Sequence, residues 1–360
     1  MISVEEISAG ELMEAGAARL RSLPHHDLLT LAGDWLGELA PWRNTGTLAT
    51  IARTMSAESL LASLFVLGEP VTEADARSQL PGPLLDLLLR CGVLSQESGK
   101  LSAEYCLVRG EGLTLLAAWR AAGRDVGSYA PWVGTDSMTL ARLVAARREA
   151  RSALDLGCGT GILGLSAARN GADLLAVDVN PECTAAAGFN AWLNGLGDRV
   201  RTAEGDIMSL ALDSRFDLVV SNPPCLPLRR GSLGWLAGEA GLDGLEFFWE
   251  LLRRTPDLLT ASGEALLQAA AYGDERAPFF IPELEAEMNR LGVSGRLLLR
   301  PSTPPRWPAF APRDENLQLS GPLGDEVRAY VESIGATHYY GFVLSLRAEP
   351  HGGLQVGRFG

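Results

Sequence analysis

The stretch Ala-Leu-Asp-Leu-Gly-Cys-Gly-Thr-Gly-Ile, residues 153–162, decides the fold of this chain. A short apolar run leads into three glycines at alternate positions, and an amphipathic segment ending at Arg169 follows them. Glycine suits such a turn because it adopts positive φ and because no side chain keeps a ligand off the backbone. The helix start behind the turn presents unpaired N–H groups, which suit a carboxylate and a phosphate equally well. The stretch therefore predicts a strand, a ligand-binding turn and a helix, and leaves the ligand open.

A second acidic residue follows at the distance that a nucleoside-binding site requires. Residues 174–178 read Leu-Leu-Ala-Val-Asp and predict a strand that ends in Asp178. A carboxylate about 20 residues after the glycines can accept both ribose hydroxyls. Dehydrogenases share this arrangement, but their fingerprint is Gly-x-Gly-x-x-Gly, whereas the glycines here alternate behind Asp155.

The Asp-x-Gly-x-Gly-x-Gly pattern resembles motif I of class I S-adenosylmethionine-dependent methyltransferases. The resemblance implies S-adenosyl-L-methionine as cofactor, with the turn holding its methionine part and Asp178 its ribose. It also implies that Asp206, after the predicted strand 200–202, lies against the adenine amine. Residues 134–140 resemble the segment that closes over the cofactor, and Thr135 or Asp136 is also a candidate helix N-cap. The expected cofactor-binding residues are Asp136, Asp155, Gly157, Gly159, Gly161, Asp178, Asn180, Asp206 and Asn222.

The reaction depends on residues 216–225, Phe-Asp-Leu-Val-Val-Ser-Asn-Pro-Pro-Cys. A buried strand runs into two prolines, which fix φ and donate no backbone hydrogen bond. Asn222 is restricted in turn by the proline that follows it. Its amide, with nearby backbone carbonyls, can accept hydrogen bonds from a substrate nitrogen and hold that nitrogen in line with a sulfonium methyl group.

This corner resembles the Asn-Pro-Pro-Tyr motif of N-methyltransferases that act on exocyclic amines of bases and on glutamine side-chain amides. The expected catalytic residues are therefore Asn222, Pro223, Pro224 and Cys225. Cys225 departs from the motif because it cannot stack on a planar group, and it is interpreted as a small apolar wall. Residues 238–245 resemble the glycine-rich entry into the next helix of the same enzymes.

Composition bears on the acceptor and on location. The net charge is −13 and the chain has a single lysine, Lys100. Nucleic-acid binding draws its affinity from phosphate neutralisation by lysine and arginine, so RNA or DNA is disfavoured unless Arg229, Arg230, Arg253 and Arg254 form a local patch. No apolar run reaches the ~18 residues of a membrane span, which predicts a cytoplasmic protein. The spacing of cysteine and histidine predicts no metal site.

Two domains are expected from the length of 360 residues. Residues 1–130 form a mainly helical domain, with helical spacing at 31–39 and 57–67. A capped short helix at 73–80, the apolar run 83–94 and the run 101–108 predict the helix, helix, hairpin order of a winged helix. This module is interpreted as a lid or dimerisation element rather than a DNA reader. A glycine-containing hinge at 123–134 leads to the catalytic domain, residues 131–360.

The second half of the chain alternates helices and strands. Helices are predicted at 242–259, 282–291 and 325–334, and strands at 264–271, 295–299 and 338–346. This alternation implies an α/β, Rossmann-like sheet, and the family resemblance implies that its final strand is antiparallel. A proline-rich loop at 302–308 spans a connection or lines the substrate mouth.

The expected function is S-adenosylmethionine-dependent N-methylation of an amine or amide nitrogen on a small molecule or a glutamine-type protein substrate. Three alternatives stay open from the sequence. One is an rRNA or tRNA base methyltransferase, another is an enzyme that cleaves or cyclises S-adenosylmethionine itself, and the last is a cofactor-sensing DNA-binding protein. The acceptor, the oligomeric state and the role of the first domain are not specified by the sequence.

Overall fold

The computed structural model describes residues 11–22, 60–118, 131, 133–232, 238–300, 322–349 and 353–358. The chain divides into two units. Unit one comprises Met1–Asp125, Ala130–Ala146 and Cys158–Glu204, and unit two comprises Val126–Tyr129, Arg147–Gly157 and Gly205–Gly360. Within the described ranges, no helix combines the length and apolarity that a membrane crossing needs. The predicted domain boundary at residue 130 stays a prediction.

The amino-terminal part of unit one is built around a buried leucine core. Its elements are α1 (Glu11–Arg21), α2 (Leu60–Ala62, continued by a π-helical turn at Ser63–Leu67), β1 (Val71–Thr72), α3 (Glu73–Gln79), α4 (Gly82–Arg90), β2 (Leu94–Glu97) and β3 (Lys100–Ala103). The predicted cap of α3 is confirmed, because the Thr72 side chain accepts the Asp75 N–H at 3.1 Å. Strand β3 lies between β1 and β2. Helix, helix and hairpin thus follow one another as the pattern predicts.

The strand predicted at 101–108 is divided in the structure. Strand β3 ends at Ala103, and a new strand, β4 (Tyr105–Gly110), pairs instead with β5 (Leu113–Ala118) in an antiparallel hairpin. Glu111 and Gly112 adopt positive φ in the tight turn between them. The apolar sequence of β5 was not predicted as a strand, because a short apolar run lacks the hydrophobic periodicity that distinguishes strand from helix.

The rest of unit one follows an α/β order. It contains α5 (Thr135–Ala145), α6 (Ile162–Arg169), β7 (Asp173–Asp178), α7 (Pro181–Leu193) and β8 (Val200–Glu204). Strands β7 and β8 pair in parallel, with Asp178 opposite Glu204. The carboxyl ends of two parallel strands therefore lie together, which is where ligands bind in open α/β sheets.

The described residues of unit two form six strands in the spatial order β13-β11-β12-β10-β9-β6. They are β6 (Ser152–Leu156), β9 (Phe216–Ser221), β10 (Leu259–Gly273), β11 (Ser294–Leu299), β12 (His338–Arg347) and β13 (Leu354–Arg358). Strands β6, β9 and β10 pair in parallel, whereas β12 is antiparallel to both of its neighbours. The predicted Rossmann-like sheet with its reversed strand is confirmed, and β13 was not predicted.

Three helices of unit two differ from their predicted limits mainly at their starts. They are α8 (Glu246–Leu258), α9 (Ile281–Leu291) and α10 (Pro322–Ser333). Helix α8 begins four residues later than predicted because Gly241 and Gly244 take positive φ. The Asp243 carboxylate accepts the Leu245 N–H at 3.0 Å in the same turn, so the glycine-rich entry is a structured loop.

Several predicted features lie outside the described residues. They are the helical segment 31–39, the first part of the segment 57–67, most of the hinge 123–134 and the proline-rich loop 302–308. Of the four histidines, the structure describes His338.

Candidate functional site

The glycine turn has the backbone that its sequence predicts. Gly157, Gly159 and Gly161 have φ values of 72°, 53° and 82°. A Cβ atom built at Gly157 or Gly159 would meet nothing within 4 Å, whereas one at Gly161 would lie 3.1 Å from the Ala187 Cβ. The first two glycines therefore leave space open beside the backbone, and the third allows α6 to pack closely against α7.

Asp178 holds this turn from the end of β7. Its two carboxylate oxygens accept backbone N–H groups from Gly159 and Asn180, both at 2.9 Å. The residue is only 7% exposed. Burial raises the pKa of the carboxyl above its usual value, against the opposing effect of these hydrogen bonds. The acid predicted to hold a ribose is thus also a support of the glycine turn.

Asn180 and Asp136 begin helices. Asn180 caps α7, because its side chain accepts the Glu182 N–H at 2.9 Å. Asp136 lies in the first turn of α5, whose N-cap is Gly134. The predicted cap at Thr135 or Asp136 was wrong, since the helix already begins at Thr135 and the cap makes no side-chain bond. The cofactor contacts of Asn180 and Asp136 stay predictions.

Two asparagines of α7, Asn190 and Asn194, form hydrogen bonds with β5, and Asn190 also bonds to the glycine turn. Neither residue was predicted from the sequence. The Asn190 Oδ1 accepts the Leu116 N–H at 2.6 Å, and its Nδ2 donates to the Leu116 and Thr160 carbonyls at 3.1 and 2.9 Å. Asn194, one turn later, accepts and donates likewise at the Thr114 backbone, at 2.9 and 2.7 Å. Residues four apart share a helix face, so the pair serves as a hydrogen-bonding partner for the edge of β5.

Asn190 is fully buried, and its amide has three protein partners around the glycine turn and β5. The signal was visible in the sequence, since a polar residue interrupts the apolar text Ala-Ala-Ala-Gly-Phe-Asn-Ala-Trp-Leu at 185–193. A buried amide is costly unless its groups are hydrogen-bonded. A lone asparagine in an apolar helix therefore indicates a specific partner.

Unit two holds the remaining predicted cofactor residues at different depths. Asp155 lies in β6 and is completely buried. Asp206 is exposed two residues after β8, and its Oδ1 accepts the Met208 N–H at 2.9 Å. The contact of Asp206 with the adenine amine stays a prediction.

The proline corner follows directly on β9. Leu156 and Ser221 are paired residues of β6 and β9, and the Ser221 hydroxyl donates to the Leu156 carbonyl at 2.7 Å. The next residue, Asn222, is half-buried, and Pro223 behind it is buried. The structure therefore brings Asn222 to the carboxyl end of the parallel strands.

The Asn222 amide is held by residues distant in sequence. The Gln268 Nε2 donates to the Asn222 Oδ1 at 2.8 Å, and the Arg300 Nη2 donates to the Gln268 Oε1 at 2.9 Å. Gln268 is 4% exposed in β10. Sequence reasoning missed both residues, although Gln268 is the one polar side chain in the run 265–271, Ala-Leu-Leu-Gln-Ala-Ala-Ala.

Cys225 is enclosed by backbone and aromatic groups. The Tyr339 hydroxyl donates to the Cys225 carbonyl at 3.3 Å, and a Cβ atom at Gly244 would lie 2.7 Å from that carbonyl oxygen. Burial raises the pKa of the Tyr339 hydroxyl well above its ordinary value. Tyr272 and Tyr339 lie with ring centroids 5.1 Å apart. The corner, which has Cys225 where the Asn-Pro-Pro-Tyr motif has tyrosine, thus lies beside tyrosines of β10 and β12.

The arginines that were candidates for a phosphate-binding patch are paired with acids. Arg253 donates to Glu287 at 2.7 Å, and Arg230 lies 3.5 Å from Glu246. The two others pair in the same way, Arg229 with Glu326 and Arg254 with Glu250. Such exposed pairs add little stability, but they neutralise the positive charge that a nucleic-acid groove requires.

Comparisons with known proteins found a matching family model and similar curated proteins. Residues 133–233 match the model of the methyltransferase small domain family. A ribosomal protein uL3 glutamine methyltransferase from Bradyrhizobium diazoefficiens is 33% identical over 36% of this chain and 44% of its own length. A release factor glutamine methyltransferase from Deinococcus radiodurans is 36% identical over 41% of this chain and 52% of its own length.

A further relative acts on a different class of acceptor. The tRNA1(Val) (adenine(37)-N6)-methyltransferase of a Flavobacteriaceae bacterium is 35% identical over 26% of this chain and 40% of its own length. The chain thus spans about half or less of the length of these curated relatives. The residues that match the family model, 133–233, include the glycine turn and the proline corner.

Proposed function

We propose that the protein is an S-adenosylmethionine-dependent N-methyltransferase that methylates a glutamine-type side-chain amide of a protein. The observation that carries this proposal is the fixed Asn222 amide, which follows β9 at the carboxyl end of the parallel strands and accepts the Gln268 N–H at 2.8 Å. A preset amide at this place is suited to receive a planar N–H2 group.

The glycine turn supports S-adenosyl-L-methionine as the methyl donor. Gly157 and Gly159 leave open space beside the backbone, and Asp178 is fixed at the end of β7. The carboxylate oxygens already accept backbone N–H groups, and a carboxylate can accept several hydrogen bonds, as a contact to a ribose hydroxyl would require. The match of residues 133–233 to the methyltransferase small domain supports the same cofactor.

In the proposed reaction the acceptor nitrogen attacks the sulfonium methyl carbon. S-adenosylmethionine, when bound, would supply the methyl group: the N–C bond would form as the C–S bond breaks, the electron pair would stay on the sulfur of S-adenosylhomocysteine, and the nitrogen would lose one proton to solvent. Asn222 acts by position, because alignment of the two reactants supplies much of the rate of such a transfer. A carbonyl oxygen accepts up to two hydrogen bonds, so the Gln268 contact is compatible with an acceptor N–H.

The class of acceptor is proposed from charge and relatives. A net charge of −13 and the acid-paired arginines oppose binding of a polyanion. Two of the relatives are named for glutamine methylation of proteins. A basic protein surface would complement an acidic enzyme. The tRNA-modifying relative keeps base methylation as the competing assignment.

The amino-terminal elements support a winged-helix module. Strand β1, helices α3 and α4, and the hairpin β2–β3 follow in the order of such a module, and β3 pairs with both β1 and β2. Helix α4 carries four buried leucines and an exposed Asp86, with Arg90 at its end. This composition favours a role in scaffolding or protein recognition over a role in reading DNA.

The proposal is tested with methyl-labelled S-adenosylmethionine and two separate acceptor pools, a nucleic-acid-free protein extract and total RNA. We expect label in protein, with the methyl group located on a glutamine side-chain nitrogen by tandem mass spectrometry. The Asn222→Ala variant should lose this transfer, whereas Asn289→Ala, at an exposed position of α9, should retain it.

Other results would contradict the proposal. Label found in RNA alone would assign the enzyme to base methylation. Release of methylthioadenosine without any acceptor would show that the protein cleaves its cofactor.

A further inference from the structure

A single polar side chain interrupts the apolar run 265–271 of strand β10. Strand β10 contains Ala-Leu-Leu-Gln-Ala-Ala-Ala at 265–271, and Gln268 in its middle is 4% exposed. Burying an amide without partners costs several times what a hydrogen bond gains. Here both ends of the amide are bonded, one to Asn222 and the other to Arg300. The choice of glutamine therefore calls for an explanation in terms of these partners.

Arginine gives the chain of hydrogen bonds one direction. A guanidinium group has donors and no acceptor, so the Arg300 Nη2 contact at 2.9 Å requires the carbonyl oxygen of Gln268. The Nε2 group of Gln268 must then point the other way, where it donates to Asn222. A donor at that place selects the Oδ1 of Asn222 over its Nδ2. The orientation of the Asn222 amide thus depends on the charged group of Arg300, which contacts Gln268 and not Asn222 itself.

The strand order explains how Arg300 reaches Gln268. Arg300 follows β11, and β12 lies between β11 and β10. The Arg300 N–H donates to the Gly341 carbonyl of β12 at 2.8 Å. A Cβ atom at Gly341 would lie 3.2 Å from the Arg300 Cδ. A glycine in β12 therefore gives the arginine side chain room beside that strand.

We propose that Gln268 and Arg300 are positioning residues, which set the Asn222 amide with its oxygen in one orientation for the acceptor nitrogen. The inference rests on the proposed function for its effect on rate. Hydrogen bonds that polarise one another in a buried chain are stronger than isolated ones, and a small misplacement of a reacting group lowers the rate steeply. Gly341 contributes to the same arrangement, because its lack of a side chain leaves space for the side chain of Arg300.

The first test replaces Gln268 with glutamate. A carboxylate keeps the shape and can pair with Arg300, but at neutral pH it has no N–H to donate, so the Asn222 amide should turn its Nδ2 towards it. We expect kcat to fall by about 10- to 100-fold while the cofactor Kd stays within about threefold of wild type. The matched control is Gln355→Glu, since Gln355 also accepts from an arginine, Arg296 at 3.3 Å, but is exposed on β13.

Conservative replacement of the arginine provides a rescue test. Arg300→Lys keeps a donor-only cation and should retain most of kcat, whereas Arg300→Met removes the group that orients Gln268 and should lower kcat as Gln268→Glu does. Gly341→Ala should lower kcat moderately by displacing Arg300. Its control is Gly357→Ala in β13, where a Cβ atom makes an ordinary contact of 3.5 Å with Leu298.

A spectroscopic measurement separates this inference from the proposed function. Side-chain amide signals of selectively 15N-labelled asparagine, assigned with Asn222→Asp, report the environment of the Asn222 Nδ2 without any turnover. We expect this signal to shift in Gln268→Glu and Arg300→Met and to remain in place in Gln355→Glu. If the signal shifted in these variants but the wild-type protein itself transferred no methyl group, the result would support the proposed amide orientation and reject the proposed function. An unchanged signal, or wild-type kcat in Gln268→Glu, would overturn the inference.

Discussion

The glycine turn and the proline corner are held in place by different means. The turn at 157–161 is tied by one backbone N–H, that of Gly159, to the carboxylate of Asp178, which lies 19 residues further along the chain. The corner at 222–225 is tied by side-chain amides, through Gln268 at a separation of 46 residues and Arg300 another 32 beyond it. The first arrangement is local and the second spans three elements of a sheet.

This difference indicates a division of labour. A turn built from backbone groups needs only small residues and one acid, and it is suited to a cofactor that contacts backbone N–H groups. A corner that depends on the orientation of one amide needs support from its neighbours, because a side chain has rotamers that a backbone turn lacks. We therefore expect changes in the turn to alter cofactor affinity and changes around the corner to alter the rate of transfer.

The largest effect is expected for Asn222→Ala. Removing the amide leaves the acceptor nitrogen without its guide, so kcat should fall by ~100-fold or more. Cofactor Kd, measured by isothermal titration calorimetry, should change by less than about threefold, because Asn222 acts on the acceptor nitrogen rather than on the cofactor. Equal losses of rate and affinity would assign Asn222 to the cofactor instead.

A second large effect is expected for Asp178→Asn. Both carboxylate oxygens accept backbone N–H groups, so one N–H must face the new NH2 group, and the turn loses about 1–3 kcal/mol of stability. Cofactor affinity should fall by about 10- to 100-fold, with the stability loss visible in urea unfolding without cofactor. Asp173→Asn, exposed at the start of the same strand, is the control. Retained affinity in Asp178→Asn would exclude the ribose role.

Substitution of two glycines of the turn by alanine should affect different properties, cofactor affinity at Gly159 and stability at Gly161. Gly159→Ala has room for its Cβ and should lose about 1–2 kcal/mol of stability, mainly because of its positive φ. Its methyl group would enter the space that we propose for the cofactor, so affinity should fall about tenfold. Gly161→Ala meets Ala187 at 3.1 Å and should lose more stability than Gly159→Ala, through overpacking. Thermal unfolding and calorimetry measure the two effects. The same response in both variants would contradict the separation of binding from packing.

The smallest effect is expected from pH. The raised pKa of Asp178 has burial as its first cause, so this carboxyl takes up a proton at a higher pH than an exposed aspartate. Cofactor affinity should therefore weaken as the pH falls from neutral towards the raised pKa of Asp178, and it should do so at a higher pH than an exposed aspartate would cause. The stability contribution has the opposite sign, because a raised folded-state pKa favours folding at low pH and is lost as pH rises through that pKa. Affinity that is constant over this range would show that Asp178 does not bind the cofactor as a carboxylate.

Much of the glycine turn could be predicted because its determinants are local. Helix α6 has the predicted limits, Ile162–Arg169, and β7 ends at Asp178 as its text indicates. The start of α8 was misplaced because apolar residues at helical spacing continue into a loop that Gly244 bends with positive φ. Periodicity does not show such a bend.

The support of the corner could not be predicted from the motif alone. Gln268 and Arg300 become neighbours only through the strand order, in which β12 enters the sheet between β11 and β10. The isolated glutamine in an apolar run indicated that a hydrogen-bonding partner exists. The sequence did not show which residue that partner is. Asn190 in α7 presents the same situation, since its partners Leu116 and Thr160 lie 74 and 30 residues away.

The most direct test of the division of labour compares Gly159→Ala and Asn222→Ala in one pair of measurements, cofactor Kd and the single-turnover rate of methyl transfer at saturating cofactor. We expect Gly159→Ala to weaken binding about tenfold with a rate near that of wild type, and Asn222→Ala to slow transfer ~100-fold with near-normal binding. If both variants lost affinity and rate together, the turn and the corner would act as one unit, and the account given for them would be wrong.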